Sequence, residues 1–410
     1  MSKPLSEWRY FWYLPFIGAL GYATSTIYVY SLGPFIAPIQ ESFEWSRAQV
    51  SSGITIASFL TALFSIPLGI LVDKIGPRRV GVTGATLMCL AFGSLGFATG
   101  GTTNWIIHWV AIALATVGVQ TTVWTSAVNS RFVANRGVAL AITLSGAAVA
   151  VTIYPIMATY LIEQFGWRKG FMYLGLFWGL LVVPLLALFF RGKQDEIRTQ
   201  VADSQTPQDV LKGLTMRQGF RSAPMWKLVL ASSFFSFTAV SLVVHYVPIL
   251  TDNGVEAMNA AGIASIIGIF SIIGRLGTGF LLDHFKAYNI GALSFLLPII
   301  GCTLLLLDGT NPTYQMIAAA VFGLTLGSEV DVISYLGAQY FGMRNFGALF
   351  GTLVMALSMG TAFGPLSAGA VYDAFGSYEP FLKGTVLLMA ISSITLYTLR
   401  RNKTADEIDP

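Results

Sequence analysis

Three charged residues stand inside long apolar stretches of the sequence, where a charge is costly. Arg275 interrupts the apolar run 263–284, and Glu329 and Asp331 interrupt the run 313–340. A guanidinium stays charged, and placing it in hydrocarbon without a partner costs about 3 kcal/mol or more. We therefore expect Arg275 to meet an anion, which is an internal carboxylate, a carboxylate ligand, or each in turn.

The spacing of the two acids predicts that they have different neighbours. Two residues along a helix lie about 200° apart, so Glu329 and Asp331 point to different sides. Burial favours the neutral form of a carboxyl group, whereas a nearby arginine favours the charged form. Arg275 would then pair with one acid, while the other takes up and releases a proton. The alternative is a permanent salt bridge that joins the two helices.

The composition indicates that these residues lie in a membrane. Of 410 residues, 54% are hydrophobic and 11% are charged, and the mean hydropathy is +0.67. Soluble domains contain about 25% charged residues, so a soluble protein with this sequence could not cover its surface. Cys89 and Cys302 fall in apolar segments without a metal or disulfide pattern, and we expect them to be reduced. We expect no cofactor, no metal ion and no cleavable signal peptide.

The apolar segments divide into two equal sets. A membrane-spanning helix needs about 20 apolar residues, and twelve segments meet this requirement: 10–38, 49–72, 79–100, 104–129, 137–162, 170–190, 225–250, 258–282, 288–307, 313–340, 346–371 and 380–399. The one long polar interval, 191–224, separates six segments from six. We expect an all-α membrane protein with two six-helix bundles, 1–190 and 225–410, and a cytoplasmic linker at 191–224.

The positive residues indicate the orientation of the chain. With a cytoplasmic N-terminus, nineteen of the 24 lysines and arginines lie inside. Arg47, Arg168, Lys169 and Lys383 lie outside, and Arg275 lies within the membrane. This asymmetry follows the positive-inside rule. We expect both termini in the cytoplasm of a bacterial cell, with the protein in its inner membrane.

The two halves of the sequence repeat at an offset of 210 residues. The matching pairs are Gly69 with Gly279, Asp73 with Asp283, Gly137 with Gly347, Pro155 with Pro365, Gly166 with Gly376, and Phe171 with Phe381. Repeats of like orientation predict a central cavity with a substrate site near the membrane midplane, between the halves. With one residue of slippage, as between Gly118 and Gly327, the positions that correspond to Glu329 and Asp331 are Gln120 and Thr122. Because the acids occur in one half only, the repeat does not require them, which favours a function.

A loop motif resembles that of the major facilitator superfamily. The motif consists of Gly69, Leu71, Asp73, Lys74, Gly76, Pro77, Arg78 and Arg79, with a degenerate second copy at Gly279, Leu281 and Asp283. The resemblance covers nearly all of 10–400 and implies the twelve-helix fold of that family. It also implies that Gly69, Asp73, Gly76, Arg78, Arg79 and Asp283 stabilise one conformation through salt bridges between helices, without touching the substrate.

A second segment is similar to the monocarboxylate porters and their oxalate–formate relatives. It contains Arg131, Phe132, Arg136, Gly137, Ala139, Leu140, Ala141, Ser145 and Gly146. Members of these families bind a carboxylate through an arginine in helix 8, the position of Arg275. The sequence departs from the relatives in having no lysine in 10–38 or 347–371. A single fixed cation favours a monocarboxylate over a dicarboxylate.

Polar and aromatic residues complete the expected binding site. We expect substrate contacts from Arg275, Tyr22, Thr26, Tyr28, Gln120, Trp124, His245 and Tyr335, and proton coupling through Glu329 and Asp331. Trp124 would form an aromatic wall, and His245 would bind the carboxylate or act as a gate. The alternatives are a packing role for each tyrosine and a hydrogen-bonded interfacial role for the histidine.

These features predict a secondary active transporter of a small organic anion. We expect a monocarboxylate, either small or aromatic, that moves with a proton. Exchange of one carboxylate for another is the alternative within transport. A transporter-like sensor is less favoured because the polar segments are too short for a signalling domain. An enzyme is not expected, since the three histidines are scattered, and there is no Gly-x-x-x-x-Gly-Lys-Ser/Thr motif for ATP. Expected partners are a carboxylate, protons and lipid; we expect no nucleic acid and a monomer.

Overall fold

A computed structural model describes the chain over residues 4–132, 136–192, 213–342 and 344–402. Within these ranges the side chains of 4–6, 64–74 and 346–348 are not described. The described chain consists of helices and their connections. Its single β contact is an isolated bridge between Gly213 and Gly342. The expected all-α fold class is therefore confirmed.

Seventeen α-helices cover most of the described chain. Those before the polar interval are α1 Pro4–Phe11, α2 Tyr13–Ser25, α3 Ile27–Tyr30, α4 Leu32–Phe43, α5 Arg47–Ile75, α6 Pro77–Ser94, α7 Thr102–Val117, α8 Thr121–Arg131, α9 Arg136–Leu144 and α10 Gly146–Phe189. Those after it are α11 Met216–Arg221, α12 Ala223–Asp252, α13 Ala257–His284, α14 Ala287–Leu307, α15 Pro312–Phe341, α16 Phe346–Phe375 and α17 Glu379–Tyr397. Short 3-10 turns follow α6 and α17 at Leu95–Phe97 and Thr398–Arg401.

The chain separates into two compact units. The first contains Met1–Trp45 and Ser52–Ala202, and the second contains Ser46–Ser51 and Asp203–Pro410. The first turn of α5 therefore belongs to the second unit, although the rest of the helix belongs to the first. The expected linker at 191–224 falls largely outside the described residues, and α11 and the start of α12 occupy its last part.

Many of the helices are long and apolar enough to cross a membrane. Nine candidate spans occur in the described ranges: Pro77–Phe97, Thr102–Arg131, Arg136–Phe189, Ala223–Asp252, Ala257–His284, Ala287–Leu307, Pro312–Phe341, Leu349–Phe375 and Glu379–Arg401. The third of them contains two segments that meet at Gly166. With α5 and the broken helix α2–α4, the described elements are consistent with twelve segments.

Gly166 is where α10 changes direction. Its φ of 77° and ψ of 161° are not helical, and L-residues with a side chain rarely adopt this φ. Its repeat mate Gly376 ends α16 with a φ of 67°. The matching glycines of the two halves thus end corresponding helices, which gives the sequence repeat a direct structural meaning.

Beyond the junction of α1 and α2 at Trp12, the first expected span is broken at two places. Pro34 has no N–H to donate to the carbonyl of Tyr30, and the helix is interrupted at Ser31. Thr26 lies at the other break, with φ −108° and ψ 3°. The hydroxyl group of Thr26 donates to the carbonyl of Ala23, an alternative to regular helix bonding.

The fourth expected span is broken as well. It divides into α7 and α8 between Val117 and Thr121. Gly118 ends α7 against Gly84 of α6, where an added Cβ on Gly84 would lie 2.4 Å from the carbonyl carbon of Gly118. Gln120 precedes α8 in an extended conformation. Broken helices in membrane proteins are tolerated where the backbone is buried or lines a cavity.

Candidate functional site

Helices α13 and α15 of the second unit pack unusually close together because glycines line their contact. An added Cβ on Gly274 would lie 2.2 Å from the carbonyl oxygen of Leu324. An added Cβ on Gly323 would lie 2.4 Å from the carbonyl oxygen of Ile267, and one on Gly327 only 2.0 Å from that of Ser271. Small residues allow such close approach between membrane helices. The three glycines therefore fix the position of Arg275 on α13.

Asp331 continues the glycine row of α15. Gly323, Gly327, Asp331 and Tyr335 follow at intervals of four residues and so lie on one face. Asp331 faces Arg275, with 3.9 Å between Oδ2 and Nε. This distance makes an ion pair but exceeds the range of a hydrogen bond. The two side chains are 16% and 30% exposed, so neither is sealed in the protein interior.

The guanidinium of Arg275 keeps its hydrogen-bonding capacity. It makes no hydrogen bond with another residue in the described part of the chain. A guanidinium has five N–H donors in a planar fork that matches a carboxylate. The ion pair with Asp331 supplies opposite charge without using these donors. These donors are therefore not used by other residues in the described part of the chain, and carboxylate binding by Arg275 stays a prediction.

Glu329 lies on another side of α15. It shares a helical stripe with Phe322 and Val332, and both of these residues pack against glycines of α14: Phe322 against Gly301 and Val332 against Gly291. Glu329 is 8% exposed, and its Oε1 is buried without a hydrogen-bond partner among the residues that the structure describes. An unpaired buried charge is far more costly than a buried neutral polar group. This environment is suited to a carboxyl group that binds a proton.

Two of the candidates in the first unit lie at the helix breaks. Thr26 is half-buried at the junction of α2 and α3, and Gln120 is half-buried directly before α8. Tyr22 is half-buried one turn before Thr26. Polar side chains at interrupted helices are typical of binding sites in transporters. Substrate binding by these three residues stays a prediction.

Two aromatic candidates are packing residues. Tyr28 is buried and contacts Trp109 edge-on, with 6.0 Å between ring centroids. Trp124 is fully buried, packs against Phe190, and donates from Nε1 to the carbonyl of Val119 at 2.8 Å. A role as an aromatic wall needs an accessible ring face, which neither residue has. Both side chains pack in the core of the first unit, and substrate contact by Tyr28 and Trp124 stays a prediction.

His245 is also inaccessible, in contrast to Tyr335. His245 of α12 is fully buried, and its Nδ1 lies 2.7 Å from the hydroxyl oxygen of Tyr378. Its Nε2 lies 2.9 Å from the carbonyl oxygen of Pro365. Carboxylate binding and gating by His245 both stay predictions. Tyr335 is 43% exposed, one turn beyond Asp331.

Arg47, which the distribution of positive residues places in an outer loop, is a buried ion-pair residue. Its Nη1 and Nη2 donate to the two carboxylate oxygens of Asp252 at 2.8 and 2.9 Å. The guanidinium carbon lies 3.5 Å from the ring centroid of Tyr372. The backbone N–H groups of Arg47 and Ala48 donate to the carboxylate of Asp373 at 2.8 and 2.9 Å. The sequence signal was an arginine at a helix start, but its two acidic partners are distant in sequence.

The loop motif is described only in part. Gly76 precedes α6 with a φ of 88°, a conformation that favours glycine. Arg78 donates to the carbonyl of Ala187 at the end of α10, and Arg79 is exposed. Gly69 and Asp73 belong to α5, but their side chains are outside the described residues. The salt-bridge role expected for this motif therefore stays a prediction, as it does for the exposed Asp283.

Comparison with solved structures shows a fold shared with membrane transporters. A bacterial homolog of the human lysosomal transporter Spinster, in an inward-facing and unoccupied conformation, aligns with a TM-score of 0.72. The alignment covers 98% of each chain at 17% sequence identity. At this identity the likeness shows the fold alone.

Comparison with curated proteins finds transporters among the relatives. Monocarboxylate transporter 13 of Rattus norvegicus is 25% identical over 89% of this chain and 83% of its own length. The riboflavin transporter MCH5 of Saccharomyces cerevisiae is 23% identical over 76% of this chain. The chain spans 62% of the length of that yeast protein, and 58% of an Aspergillus flavus MFS transporter.

The family itself is shown by a match over most of the chain. The sequence profile of the Major Facilitator Superfamily matches residues 18–341. The expected resemblance to this superfamily is thereby confirmed, and the long apolar helices agree with a multi-pass membrane protein. The chain belongs to the Major Facilitator Superfamily.

Proposed function

We propose that the protein is a secondary active transporter that moves a monocarboxylate, either small or aromatic, together with a proton by alternating access. The observation that carries this proposal is the arrangement around Arg275. Its guanidinium is paired with Asp331 at 3.9 Å without a hydrogen bond, and Glu329 is buried nearby with an unpartnered carboxyl oxygen. The guanidinium of Arg275 suits an anion, and the carboxyl group of Glu329 suits a proton.

The anion would bind at Arg275. An incoming carboxylate accepts two N–H donors of the guanidinium in a bidentate arrangement, whereas Asp331 accepts none. The substrate therefore gains hydrogen bonds that the internal partner does not make. Asp331 holds the charge of Arg275 while the site is empty, and this limits the cost of an arginine in the membrane.

The proton would bind at Glu329. A charged Glu329 and a charged Asp331 leave the region around Arg275 with one net negative charge, which opposes a second anion. Protonation of Glu329 removes that charge before the substrate carboxylate arrives. A proton and a monoanion then cross together without net charge. A dicarboxylate would leave one negative charge uncompensated, since the site contains one arginine.

The relatives support transport more firmly than they support one substrate. One is named a monocarboxylate transporter, which agrees with the chemistry of Arg275. Another is named a riboflavin transporter, so the family of relatives is not restricted to one class of molecule. The arginine and the two acids are what favour a carboxylate for this chain. The residues expected to line the binding site do not decide between small and aromatic carboxylic acids as the substrate.

Uptake into vesicles made from purified protein tests the proposal. The vesicles contain no substrate, their interior is more alkaline by one pH unit, and a panel of labelled monocarboxylates is supplied outside. Electroneutral one-to-one symport allows up to about tenfold accumulation per pH unit, since one unit corresponds to about 1.4 kcal/mol. A membrane potential alone should produce no accumulation.

Exchange of carboxylates is the second candidate, although the single fixed cation and the absence of a lysine in 347–371 weaken it. Uptake that requires substrate preloaded inside the vesicles, and that ignores the pH gradient, would establish exchange and contradict symport. Binding of a carboxylate without any flux would indicate a sensor.

The proposal includes an orientation in a bacterial inner membrane. The excess of Lys and Arg on one side predicts cytoplasmic termini and a cytoplasmic segment 191–224. Cleavage of a protease site placed in that segment checks this in sealed vesicles of known orientation. Cleavage from the periplasmic side would contradict it.

A further inference from the structure

A second buried titratable group in the second unit has no part in the proposed transport step. His245 lies in a closed hydrogen-bond network with Tyr378, Pro365 and Arg47. We propose that His245 is a separate proton-binding site, and that a proton there releases the first turn of α5 from α12, α16 and α17. This inference does not depend on the identity of the substrate.

The partners of His245 determine which nitrogen bears hydrogen. The carbonyl of Pro365 can only accept, so Nε2 of His245 donates to it at 2.9 Å. In the neutral ring Nδ1 then accepts from the hydroxyl group of Tyr378 at 2.7 Å. The same hydroxyl oxygen accepts from Nη1 of Arg47 at 2.8 Å. The network is complete only while His245 is neutral.

A proton on Nδ1 removes the acceptor that the tyrosine needs. Nδ1 would then donate to the hydroxyl oxygen of Tyr378, which already accepts from Arg47, and the tyrosine hydrogen would lose its acceptor. The imidazolium would also stand beside the positive charge of Arg47. Leaving a buried donor unsatisfied destabilises the arrangement that buries it. Protonation of His245 therefore destabilises the network through both the lost hydrogen bond and the repulsion between like charges.

The network holds one segment in place. Residue 46 precedes α5 and residues 47–51 form its first turn, and Asp373 of α16 accepts from the backbone N–H groups of Arg47 and Ala48. An added Cβ on Gly369 would lie 2.7 Å from the nitrogen of Ala48, so the backbones are in close contact. Ser51 is the last residue of this segment, and its hydroxyl oxygen lies 3.4 Å from Nε2 of His245.

Other charges near the histidine act in both directions. Arg47 on α5 disfavours an imidazolium, whereas Asp252 on α12 and Asp373 on α16 favour one. Asp252 is already held by two hydrogen bonds from Arg47, and Asp373 by two backbone donors. Tyr372 and Tyr378 present neutral rings to the arginine. The negative charges of Asp252 and Asp373 are therefore already stabilised by these donors while the network is closed.

Thiol labelling of the full-length protein tests this inference without any transport assay. Val50 is fully buried in the released segment, so a Val50→Cys thiol reacts with a maleimide only when the segment opens. A thiol at the exposed position Glu41, from Glu41→Cys, gives the chemical effect of pH on the reaction. The measured quantity is the labelling rate of the Val50→Cys thiol divided by that of the Glu41→Cys thiol, determined at pH 7.5 and again at pH 5.0. The parent protein serves as the blank for Cys89 and Cys302.

We expect the ratio to rise about tenfold on acidification in the native background and to stay constant with His245→Gln, which cannot titrate. A constant native ratio, or an equal rise with His245→Gln, would overturn the inference. Tyr378→Phe provides a second variant should the first misfold. It removes the shared hydroxyl group, so the ratio should already be raised at pH 7.5; an unchanged ratio would also overturn the inference.

Discussion

A Cβ atom added to Gly327 would lie 2.7 Å from the backbone nitrogen of Arg275. The proposed anion site is thus positioned by a residue on the neighbouring helix that has no side chain. Because Asp331 follows Gly327 by one turn, the same contact places the aspartate beside the arginine. The distance between the two charged groups therefore depends directly on backbone packing.

The first prediction concerns this contact. Gly327→Ala should lower the melting temperature of the detergent-solubilised protein by several degrees, because forced repacking at a tight contact costs about 1–3 kcal/mol. Gly277→Ala on α13 is the matched control, since an added Cβ there meets no atom within 4 Å. The control should melt at or slightly above the native temperature, because alanine favours helix. Equal melting temperatures for both variants would contradict the close packing.

The helices and the separation of the two acids follow from the sequence. Apolar length predicts the spans, and the two-residue spacing of Glu329 and Asp331 predicts different sides of one helix. The sequence does not predict which of the two acids, Glu329 or Asp331, is the partner of Arg275. This depends on which face of α15 meets α13, and the glycine row sets that face only in the packed structure.

The network around Arg47 could not be predicted for a related reason. Arg47 and Asp252 are 205 residues apart, and neither position belongs to a motif. The breaks at Thr26 and Gln120 were also missed, since hydropathy does not respond to backbone geometry. The buried positions of Tyr28 and Trp124 result from tertiary packing, because an aromatic residue within a span serves equally well as core or as wall.

The second prediction is that Arg275→Lys abolishes most uptake of the substrate. Lysine keeps the charge but presents a point charge, so it cannot bind a carboxylate in the bidentate manner of a guanidinium. A loss of one or more charge-assisted hydrogen bonds, each about 1.5–3 kcal/mol, corresponds to at least about tenfold weaker binding. The measurement is initial uptake against substrate concentration in reconstituted vesicles.

The exposed arginine at position 344 provides the control for this exchange. Arg344→Lys makes the same chemical change on the surface and should leave uptake unaltered. Near-native uptake by Arg275→Lys, at equal protein content, would exclude Arg275 as the anion anchor.

The third prediction is that Asp331→Asn strengthens substrate binding and slows transport. The amide is neutral, so the substrate carboxylate no longer competes with an internal anion for Arg275. Removing an ion pair of roughly 1 kcal/mol predicts about fivefold tighter binding. Return of the empty carrier should slow, because Arg275 then lacks its partner. Calorimetric titration measures the binding and vesicle counterflow measures the transport; weaker binding would indicate that Asp331 only supports the fold.

The fourth prediction separates proton coupling from anion binding. Glu329→Gln keeps the size of the side chain and a buried carbonyl oxygen but cannot exchange a proton. Accumulation driven by a pH gradient should therefore be lost, while exchange of labelled for unlabelled substrate continues at a reduced rate that no longer depends on pH. Glu379→Gln, which changes an exposed glutamate paired with Lys383, should accumulate substrate like the native protein. Full accumulation by Glu329→Gln would indicate that Asp331 carries the proton. Loss of both exchange and accumulation would indicate a structural role for Glu329.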